Sequence, residues 1–372
     1  MNLSYWEHKT WISGIDFTVV GSGIVGLNCA LRLRERFPSA RIVVLEKGVW
    51  PQGASTKNAG FACFGSISEI LSDLEHHSEE DVLQLAQNRW DGIQWLRAYL
   101  GDESIGFQNF GGHELFLEEQ AESYAYCLEN LNRINDLLAP VYKAPAFKRH
   151  PNMFRFNKVV PHYITNTFEG QLDTGRMMAS LLLKAQKKHI HVLNANAVRE
   201  YSECTNGVAV KTDMFEFNTK KLCIATNGFA AQLANVPVKP ARAQVLITKP
   251  IHNLGIKGTF HLEQGYYYFR NVDRRILLGG GRNLDFDTEE TTEPGLTEVV
   301  QNKLETLLAE VILHNSPFEI ERRWSGIMGV GTEKKPIIKQ VAERVYCGVR
   351  LGGMGIAIGS FVGRELADLS AE

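Results

Sequence analysis

The segment VVGSGIVG, from Val19 to Gly26, constrains the fold of this chain more than any other stretch. It places Gly21, Gly23 and Gly26 at the three positions of a GxGxxG pattern, between an apolar run typical of a buried strand and apolar residues at helical spacing. The first glycine permits a sharp turn, the second lets a pyrophosphate approach the backbone, and the third lets the helix pack closely on the strand. The amides at the start of that helix favour negative charge. We therefore predict a dinucleotide-binding turn.

An acidic residue follows at the expected distance. The next predicted strand, ARIVVLEKG, ends at Glu46, about 20 residues after the last glycine, where a carboxylate accepts hydrogen bonds from ribose hydroxyls. The strand–helix–strand unit has the size of a βαβ crossover, about 30 residues. A glycine turn without function would not explain Glu46, so the pair of signals favours a nucleotide site.

The C-terminal end repeats the same order of elements. The segment VYCGVRLGGMGIAIGSFVGRELADL predicts a strand, a glycine-rich turn and a helix. Between the two ends, the alternating pattern from His191 to Gly228 and the runs QVLITKP, GYYYFRN and RILLGGGRN predict further strands. With 372 residues, the chain is long enough for two domains. We expect an α/β fold: a doubly wound, Rossmann-like nucleotide domain made of both chain ends, and a second, α+β domain built on an antiparallel sheet. The predicted boundaries are 14–95, 170–238 and 322–372 for the first domain, and 96–169 and 239–321 for the second.

Charge and cysteine content exclude several classes of protein. The formal net charge of -2 gives no basic surface for nucleic acid. The six cysteines include no CxxC pair, so neither a metal site nor a disulfide framework is predicted. No apolar run reaches the roughly 20 residues of a membrane helix, and no signal peptide is recognised. We expect a cytoplasmic protein without a metal.

The loop GASTKNAGF, from Gly53 to Phe61, resembles the FAD-dependent family that includes D-amino acid oxidase, glycine oxidase and sarcosine oxidase. Five further segments resemble this family in the same order along nearly the whole chain: EGQLDTGRMMASLL, CIATNGF, PARAQVLIT, RWSGIMGVGTEKKPII and GVRLGGMGIAIGSFVGRELADL. Within the family, the spacing of RWSGIMGVGTEKKP is most similar to the γ-glutamylputrescine oxidoreductase branch.

This resemblance implies FAD as the cofactor. Its pattern places Ser55 and the residues from Asn58 to Phe61 along the flavin ring and ribityl chain, Val198 at the adenine, and Ala225 to Gly228 beside the phosphates. The C-terminal helix would point its N-terminus at flavin O2 and N1, where a partial positive charge stabilises the anionic reduced flavin. The cysteine that binds flavin covalently in the sarcosine-oxidase branch has no counterpart here, so the resemblance implies non-covalent FAD. The predicted cofactor-binding residues are Gly21, Ser22, Gly23, Ile24, Gly26, Glu46, Lys47, Ala54, Ser55, Asn58, Ala59, Gly60, Phe61, Val198, Ala225, Thr226, Asn227, Gly228, Gly326, Gly352, Gly353, Met354, Gly355 and Ile356.

The substrate side departs from the family pattern at one position. Where oxidases of small amino acids carry an arginine for the substrate carboxylate, this chain has Met328, and a thioether cannot replace a bidentate guanidinium. Either another cation serves, with Arg270, Arg323 and Arg350 as candidates, or the substrate is not a small α-amino acid.

The resemblance to the family places the strand GYYYFR over the substrate side of the flavin. Side chains alternate along a strand, so Tyr266 and Tyr268 should share one face and Tyr267 the other. One face would then form a partial aromatic cage for an amine or its cation, although an ordinary sheet of tyrosines explains the run equally well. The predicted substrate-binding residues are Phe61, Tyr266, Tyr268, Arg270, Met328 and Arg350.

The predicted reaction is oxidation of the C–N bond of an amine or amino-acid derivative, by hydride transfer to flavin N5, with electrons passing to oxygen or another acceptor. No catalytic side chain is predicted, because the flavin carries the difficult step; histidines such as His113 and His162 are expected to be structural or exposed. Three alternatives stay open: an FAD-dependent dehydrogenase of a 2-hydroxy acid or related alcohol, a nicotinamide-dependent dehydrogenase, and a flavin-binding protein without enzymatic activity. The partners are therefore a small molecule and an electron acceptor, not nucleic acid or metal.

Overall fold

Helices are concentrated before residue 188 and strands after it, in the part of the chain that the computed structural model describes, residues 3–372. The helices are α1 (Tyr5–Glu7), α2 (Ile24–Arg36), α3 (Ile67–His76), α4 (Glu79–Leu100), α5 (Asp102–Ile105), α6 (Ala121–Glu129), α7 (Leu131–Tyr142), α8 (Thr174–Lys187), α9 (Phe286–Glu289), α10 (Glu298–Leu307) and α11 (Gly355–Ser370). The strands are β1 (Ile15–Val20), β2 (Ile42–Leu45), β3 (Phe61–Ala62), β4 (Gly112–Glu114), β5 (Phe147–Pro151), β6 (His162–Asn166), β7 (Gly170–Gln171), β8 (His191–Leu193), β9 (Val198–Cys204), β10 (Gly207–Thr212), β11 (Glu216–Ile224), β12 (Lys239–Thr248), β13 (Thr259–Leu262), β14 (Tyr267–Val272), β15 (Arg275–Gly280), β16 (Ile320–Val330), β17 (Ile337–Ala342) and β18 (Val345–Val349). Short 3₁₀ or π-helical turns cover His8–Ile12, Ala54–Thr56, Glu118–Gln120, Asn227–Gln232, Arg282–Leu284 and Leu308–Ile312.

The first large sheet contains the strands on both sides of the GxGxxG turn. Its order is β17, β18, β11, β1, β2, β8; the strands from β18 to β8 are parallel, and β17 is antiparallel to β18. At its centre, Val19 of β1 is opposite Val44 on one side and Cys223 on the other. All four residues of β2 are apolar and buried, as expected for a strand that is covered on both faces. The Rossmann-like α/β fold predicted from the sequence is confirmed.

Different elements cover the two faces of this sheet. Helices α2, α8 and α11 pack on one face, through side chains such as Leu27, Leu181 and Val362. The antiparallel strands β9 and β10 and the segment 230–238 cover the other. The steps from β1 to β2 to β8 run one way across the sheet and the return to β11 runs the other way, so right-handed connections fall on opposite faces. The sequence predicted these strands without indicating which face they cover.

The second large sheet is mixed rather than fully antiparallel. Its order is β16, β12, β15, β14, β13, β4, β6, β5, and the pair of β4 and β13 is parallel while its other neighbours are antiparallel. These two strands lie in chain segments far apart, so no hairpin turn sets their relative direction. One face packs on α10 through Val300 and Leu304, and the other packs Val245 and Leu277 against Phe61. The second face is therefore directed at the loop that follows β2.

Helix α4 packs closely on α11. At Gly92 an added Cβ would lie 2.2 Å from the carbonyl oxygen of Ala357, so α4 and α11 are in close contact. Ser360 of α11 donates a hydrogen bond of 2.5 Å to the carbonyl oxygen of Gly92. The predicted boundary after residue 95 falls inside α4, and the one before residue 322 falls inside β16. The division into two domains stays a prediction.

Helix length and apolarity bear on membrane association. Within residues 3–372, no helix combines the length and the apolar character that a bilayer crossing requires.

Candidate functional site

The turn between β1 and α2 can be formed only by glycine at its key positions. Gly21 has a φ of +103°, and a Cβ there would lie 2.8 Å from the carbonyl oxygen of Ala225. At Gly26 a Cβ would lie 1.8 Å from the carbonyl oxygen of Gly21, and at Gly23 it would lie 2.8 Å from Ser55 Oγ. The helix therefore packs against the strand end as closely as a dinucleotide-binding turn requires.

Glu46 is buried at the end of β2, beside this turn. Its Oε2 accepts hydrogen bonds from the Ser22 amide (3.1 Å) and hydroxyl (2.7 Å), and its Oε1 accepts one from the Gly48 amide (3.0 Å). The carbonyl oxygen of Glu46 accepts from the Asn196 amide at 2.9 Å, two residues before Val198, where β9 begins. The structure thus brings the predicted ribose and adenine residues together.

The loop after β2 folds back onto the start of α2. Ser55 Oγ accepts a hydrogen bond of 2.9 Å from the amide of Ile24, the first residue of α2. Asn58 stabilises the loop, because its amide group donates to the carbonyl oxygens of Ala54 and Ser55 and its Oδ1 accepts from the Gly60 amide at 2.8 Å. The predicted flavin loop and the predicted pyrophosphate turn are therefore in direct contact.

The turn after β11 joins the two chain ends. The amide of Ala225 donates to the carbonyl oxygen of Val20 at 2.9 Å. Asn227, with a φ of +45°, accepts hydrogen bonds at Oδ1 from the amides of Arg350 (3.1 Å) and Leu351 (3.3 Å). Gly228 lies where a Cβ would be 2.4 Å from the carbonyl oxygen of Met328.

Thr226 and Lys47 complete the predicted residues near this turn. The hydroxyl of Thr226 is buried and has no hydrogen-bond partner in the described range, residues 3–372. The ammonium of Lys47 lies 3.4 Å from the centroid of the Phe229 ring. Burial lowers the pKa of Lys47.

The C-terminal glycine turn lies against the same region. Gly352 has a φ of +57°, and an added Cβ at Gly353 would meet no atom within 4 Å. The sulfur atoms of Met354 and Cys63 are 3.3 Å apart. One turn into α11, a Cβ at Gly359 would lie 2.8 Å from Cγ2 of Ile24.

The two glycine turns therefore begin neighbouring helices, with Gly355 and Ile356 starting α11 and Ile24 starting α2. This is the arrangement that the resemblance implied for the two ends of the chain.

Aromatic side chains of the second sheet face the flavin loop. The ring of Phe61 makes edge-to-face contacts with Tyr268 (centroids 5.6 Å apart) and His261 (5.3 Å). Tyr266 precedes the first residue of β14, and its ring centroid is 6.1 Å from that of Phe286. The structure thus brings Tyr268 to Phe61 and places Tyr266 outside the strand, so these two tyrosines do not form the expected pair.

Arg270 is a buried cation without an anionic partner. Its guanidinium donates a hydrogen bond of 3.3 Å to the carbonyl oxygen of Gly60, its Nε has no partner, and no carboxylate of residues 3–372 forms an ion pair with it. Burial lowers the pKa of Arg270 to about 10. A desolvated guanidinium favours an anion, so this side chain can hold a carboxylate.

The other candidate cations already have acidic partners. Arg323 forms an ion pair of 2.8 Å with Glu305, and Arg350 forms one of 3.0 Å with Glu333. Arg350 also donates to the carbonyl oxygen of Lys335.

Strand β16 lies against the flavin loop. The indole of Trp324 donates to the carbonyl oxygen of Lys57 at 2.9 Å, and a Cβ at Gly326 would lie 2.9 Å from Cβ of Lys57. Met328 follows on the same face of this strand by alternation and carries no charge.

A buried polar cluster beside this site was not predicted. His261 lies opposite Tyr268 on one side and Glu114 on the other, and its Nε2 is 3.6 Å from Oε2 of Glu169. Burial acts to lower the pKa of His261, but the nearby carboxylate of Glu169 outweighs it, so the pKa of His261 is raised; burial raises the pKa of Glu114 to about 7. The only signal in the sequence is the alternation of polar and apolar residues in the strand TFHL, where Thr259 and His261 flank Phe260.

The fold and this constellation define a Rossmann-like, dinucleotide-dependent class of protein. A family model described as DAO, FAD dependent oxidoreductase, matches residues 16–369. The chain therefore belongs to the DAO family of FAD-dependent oxidoreductases. FAD is its cofactor, and the nicotinamide-dependent alternative is set aside.

Two individual relatives and one solved structure are also similar to this chain, at low sequence identity. The chain is 20% identical over 384 residues to a probable oxidoreductase, OrdL, of Haemophilus influenzae, covering 96% of this chain and 83% of the relative. It is 22% identical over 327 residues to L-2-hydroxyglutarate dehydrogenase of Escherichia coli, covering 80% and 74%. The structure of glycine oxidase from Geobacillus kaustophilus superposes with a TM-score of 0.76 at 19% identity, covering 96% of this chain and 94% of that one. These similarities support the fold and leave the substrate open.

Proposed function

We propose that this FAD-dependent oxidoreductase oxidises the C–N bond of an amine or amino-acid derivative that carries a carboxylate. The observation that carries this proposal is the buried Arg270, without an acidic partner, beside Gly60 and Phe61. Since the two other candidate arginines are paired with glutamates, Arg270 is the free cation among those three.

The residues around the first glycine turn fit FAD. Gly21, Gly23 and Gly26 leave the backbone without side chains where a Cβ would collide, and α2 begins here, so its N-terminal dipole favours negative charge. Glu46 would hold the ribose hydroxyls of the adenosine, and the segment at Val198 would contact the adenine. The segment 225–228 would flank the phosphates.

The flavin ring of FAD would be held by residues from both ends of the chain. Ala59, Gly60 and Phe61 would line one side, and Met354 and the N-terminus of α11 would stand at the other, where the helix dipole favours an anionic group. Bound there, FAD supplies a two-electron acceptor that takes a hydride from the substrate.

The protein's own side chains would orient the substrate and exclude water. Arg270 would bind the carboxylate through its donor fork, and the faces of Phe61 and Tyr268 would enclose the carbon that bears the amine. Met328 would contribute an apolar wall rather than a charge. No side chain is assigned as a nucleophile.

The finer assignments rest on sequence patterns. The γ-glutamylputrescine oxidoreductase branch is proposed from the spacing around residues 323–336. Non-covalent attachment is proposed because that segment has no cysteine. Oxygen or another acceptor would reoxidise the flavin, without a metal or nucleic acid, and a cytoplasmic location is proposed from the cysteine content.

Oxidation of a 2-hydroxy acid is the second candidate function. The E. coli relative named L-2-hydroxyglutarate dehydrogenase favours it, and Arg270 would serve the carboxylate of either substrate class. Anaerobic mixing of the FAD-loaded protein with amines, amino acids and 2-hydroxy acids distinguishes them. Bleaching of the flavin bands by amines supports the proposal, whereas bleaching by hydroxy acids alone overturns it.

A further inference from the structure

A polar cavity of about 220 Å³ lies at the edge of the second sheet, beside the start of α3. Its lining includes two carboxylates, two amides and two aromatic rings, from Glu114, Glu263, Gln120, Gln264, Phe116 and Tyr266. The remaining lining residues are serines, so no lysine or arginine contributes to it. The cavity has room for a small polar group and several waters, at about 30 Å³ each.

The strand register connects this cavity to the proposed substrate site. Glu114 is opposite His261, and His261 is opposite Tyr268, so the three side chains lie in one row on one face of the sheet. Phe61 contacts the last two members of this row. Neighbouring strands are about 4.8 Å apart, which puts Glu114 about 10 Å from Tyr268. Along this row His261 lies between the cavity and the proposed site of oxidation at Phe61 and Tyr268, so a substrate that spans both would pass beside this imidazole.

The titratable side chains that line the cavity, among the described residues, are acidic. Glu114 is 3% exposed, accepts hydrogen bonds from the amide and hydroxyl of Ser68, and forms no ion pair with a basic residue of the described chain. A Cβ at Gly265 would lie 3.2 Å from the carboxylate carbon of Glu69, which adds a third acid beside Glu114 and Glu263. The positive charge of Lys303 acts to lower the pKa of Glu263, but Lys303 does not line the cavity. Its ammonium lies 5.7 Å from the centroid of the Tyr267 ring.

A second, independent feature lies between the cavity and the proposed substrate site. Nε2 of His261, a residue that is only 5% exposed, lies 3.6 Å from Oε2 of Glu169 and has no partner at hydrogen-bond distance among residues 3–372. This ion pair is longer than a hydrogen bond, so a polar group of a ligand in the row from Glu114 to Tyr268 would complete the hydrogen bonding of the imidazole.

We infer that this cavity is a binding subsite for the cationic end of the substrate. The inference rests on the proposed function and names its substrate class: amines with a second positive group, an ammonium or guanidinium, at the far end of the chain from the oxidised C–N bond. Such a group would compensate the buried carboxylate of Glu114 and would lie between the rings of Phe116 and Tyr266. Arg270 would hold the carboxylate at the opposite end.

Glu114 also has a possible structural role, because it accepts the amide of Ser68 in the first turn of α3. A structural role alone would lower stability without changing which substrates are preferred. The ratio of kcat/KM for two matched substrates separates these roles, because a general loss of active enzyme lowers both values equally.

The test compares pairs of probes that differ in the charge of the chain end. Lysine is compared with norleucine, and cadaverine is compared with pentylamine. Both comparisons measure anaerobic flavin reduction and kcat/KM in the FAD-loaded enzyme. We expect the cationic member of each reactive pair to be favoured roughly tenfold to hundredfold. Glu114→Gln and Glu263→Gln should each reduce this preference about tenfold. Glu343→Gln, which removes an exposed carboxylate that does not line the cavity, should leave it unchanged.

The pH dependence gives a second readout of the same inference. Glu114 faces Glu69 of α3 and His261 of β13, and burial raises its pKa to about 7. The preference for the cationic member should therefore increase as the pH rises through about 7, and Glu114→Gln should abolish this increase.

Each outcome decides between the inference and the proposed function. If no amine reduces the flavin, the proposed function fails. If amines reduce it but the neutral probes react as well as the cationic ones, or only amines without a second charge react, the cationic subsite is wrong and the proposed function stands. A variant of Glu114 that is less stable but keeps the full preference also overturns the subsite.

Discussion

The guanidinium of Arg270 donates a hydrogen bond of 3.3 Å to the carbonyl oxygen of Gly60. Arg270 lies on β14 in the second sheet, whereas Gly60 lies in the loop that follows β2 in the first. Gly60 has a φ of +73°, and a Cβ there would lie 2.3 Å from the carbonyl oxygen of Leu172, so the path of this loop requires glycine. The bond connects the proposed flavin loop to the proposed substrate face and leaves Arg270 Nε free for an anion.

Replacing Arg270 should separate substrates with a carboxylate from those without one. Arg270→Lys removes the donor fork, and we expect kcat/KM for amino acids to fall roughly tenfold to hundredfold because the bidentate contact is lost. Simple amines should change little. Steady-state kinetics with both classes check this, and Arg322→Lys, at an exposed position of β16, is the control. An equal loss for both classes would show that Arg270 supports the loop alone.

Replacing Gly26 should remove the cofactor site. In Gly26→Ala the new methyl group would collide with the carbonyl oxygen of Gly21, so we expect α2 to shift, FAD content to fall and the free energy of unfolding to decrease by about 1 to 3 kcal/mol. Gly255→Ala is the matched control, because its Cβ meets nothing within 4 Å. Flavin absorbance per protein and thermal unfolding measure both effects. Full FAD content in Gly26→Ala would contradict the proposed role of the turn.

Replacing Glu46 should weaken FAD binding without abolishing the fold. Glu46→Gln removes the charge that would accept the ribose hydroxyls, and we expect the Kd for FAD to rise roughly tenfold to hundredfold. Titration of the apoprotein with FAD, followed by quenching of flavin fluorescence, measures the Kd. Glu343→Gln, at an exposed position, should bind FAD like the wild type. An unchanged Kd for Glu46→Gln would place the adenosine elsewhere.

Stability should depend on pH through Glu114. Burial raises its pKa from 4.5 to about 7, so in that range the folded protein keeps a proton that the unfolded chain releases. The stabilisation is therefore complete below pH 4.5 and is lost as the pH rises through about 7. Relative to Glu114→Gln, the wild type should lose about 3 kcal/mol of unfolding free energy across this range. Urea unfolding of both proteins measures the difference, and parallel pH profiles would contradict it.

The sequence predicts the glycine turn before α2 and the strand that ends at Glu46, because these signals are local. Gly21, Gly23, Gly26 and Glu46 belong to one strand–helix–strand unit, and their spacing follows from its geometry. The C-terminal turn was predicted by the same pattern, and its position beside Ile24 agrees with the structure.

The substrate half could not be predicted to the same depth. Glu114, His261 and Tyr268 become neighbours only through the parallel pairing of β4 with β13, and nothing in the sequence specifies a register between segments so far apart. The alternation pattern also predicted that Tyr266 shares a strand face with Tyr268, but β14 begins one residue later, at Tyr267. Which arginine is free depends on ion pairs made by distant residues such as Glu305.

A crystal structure of the protein with FAD tests the central claim most directly, since that claim joins two remote ends of the chain in one cofactor site. We predict the pyrophosphate at the glycine turn that leads into α2 and the flavin ring between Phe61 and the turn at Met354. A flavin whose ring lies away from the first turn of α11, or whose phosphates lie away from the first glycine turn, would contradict the account.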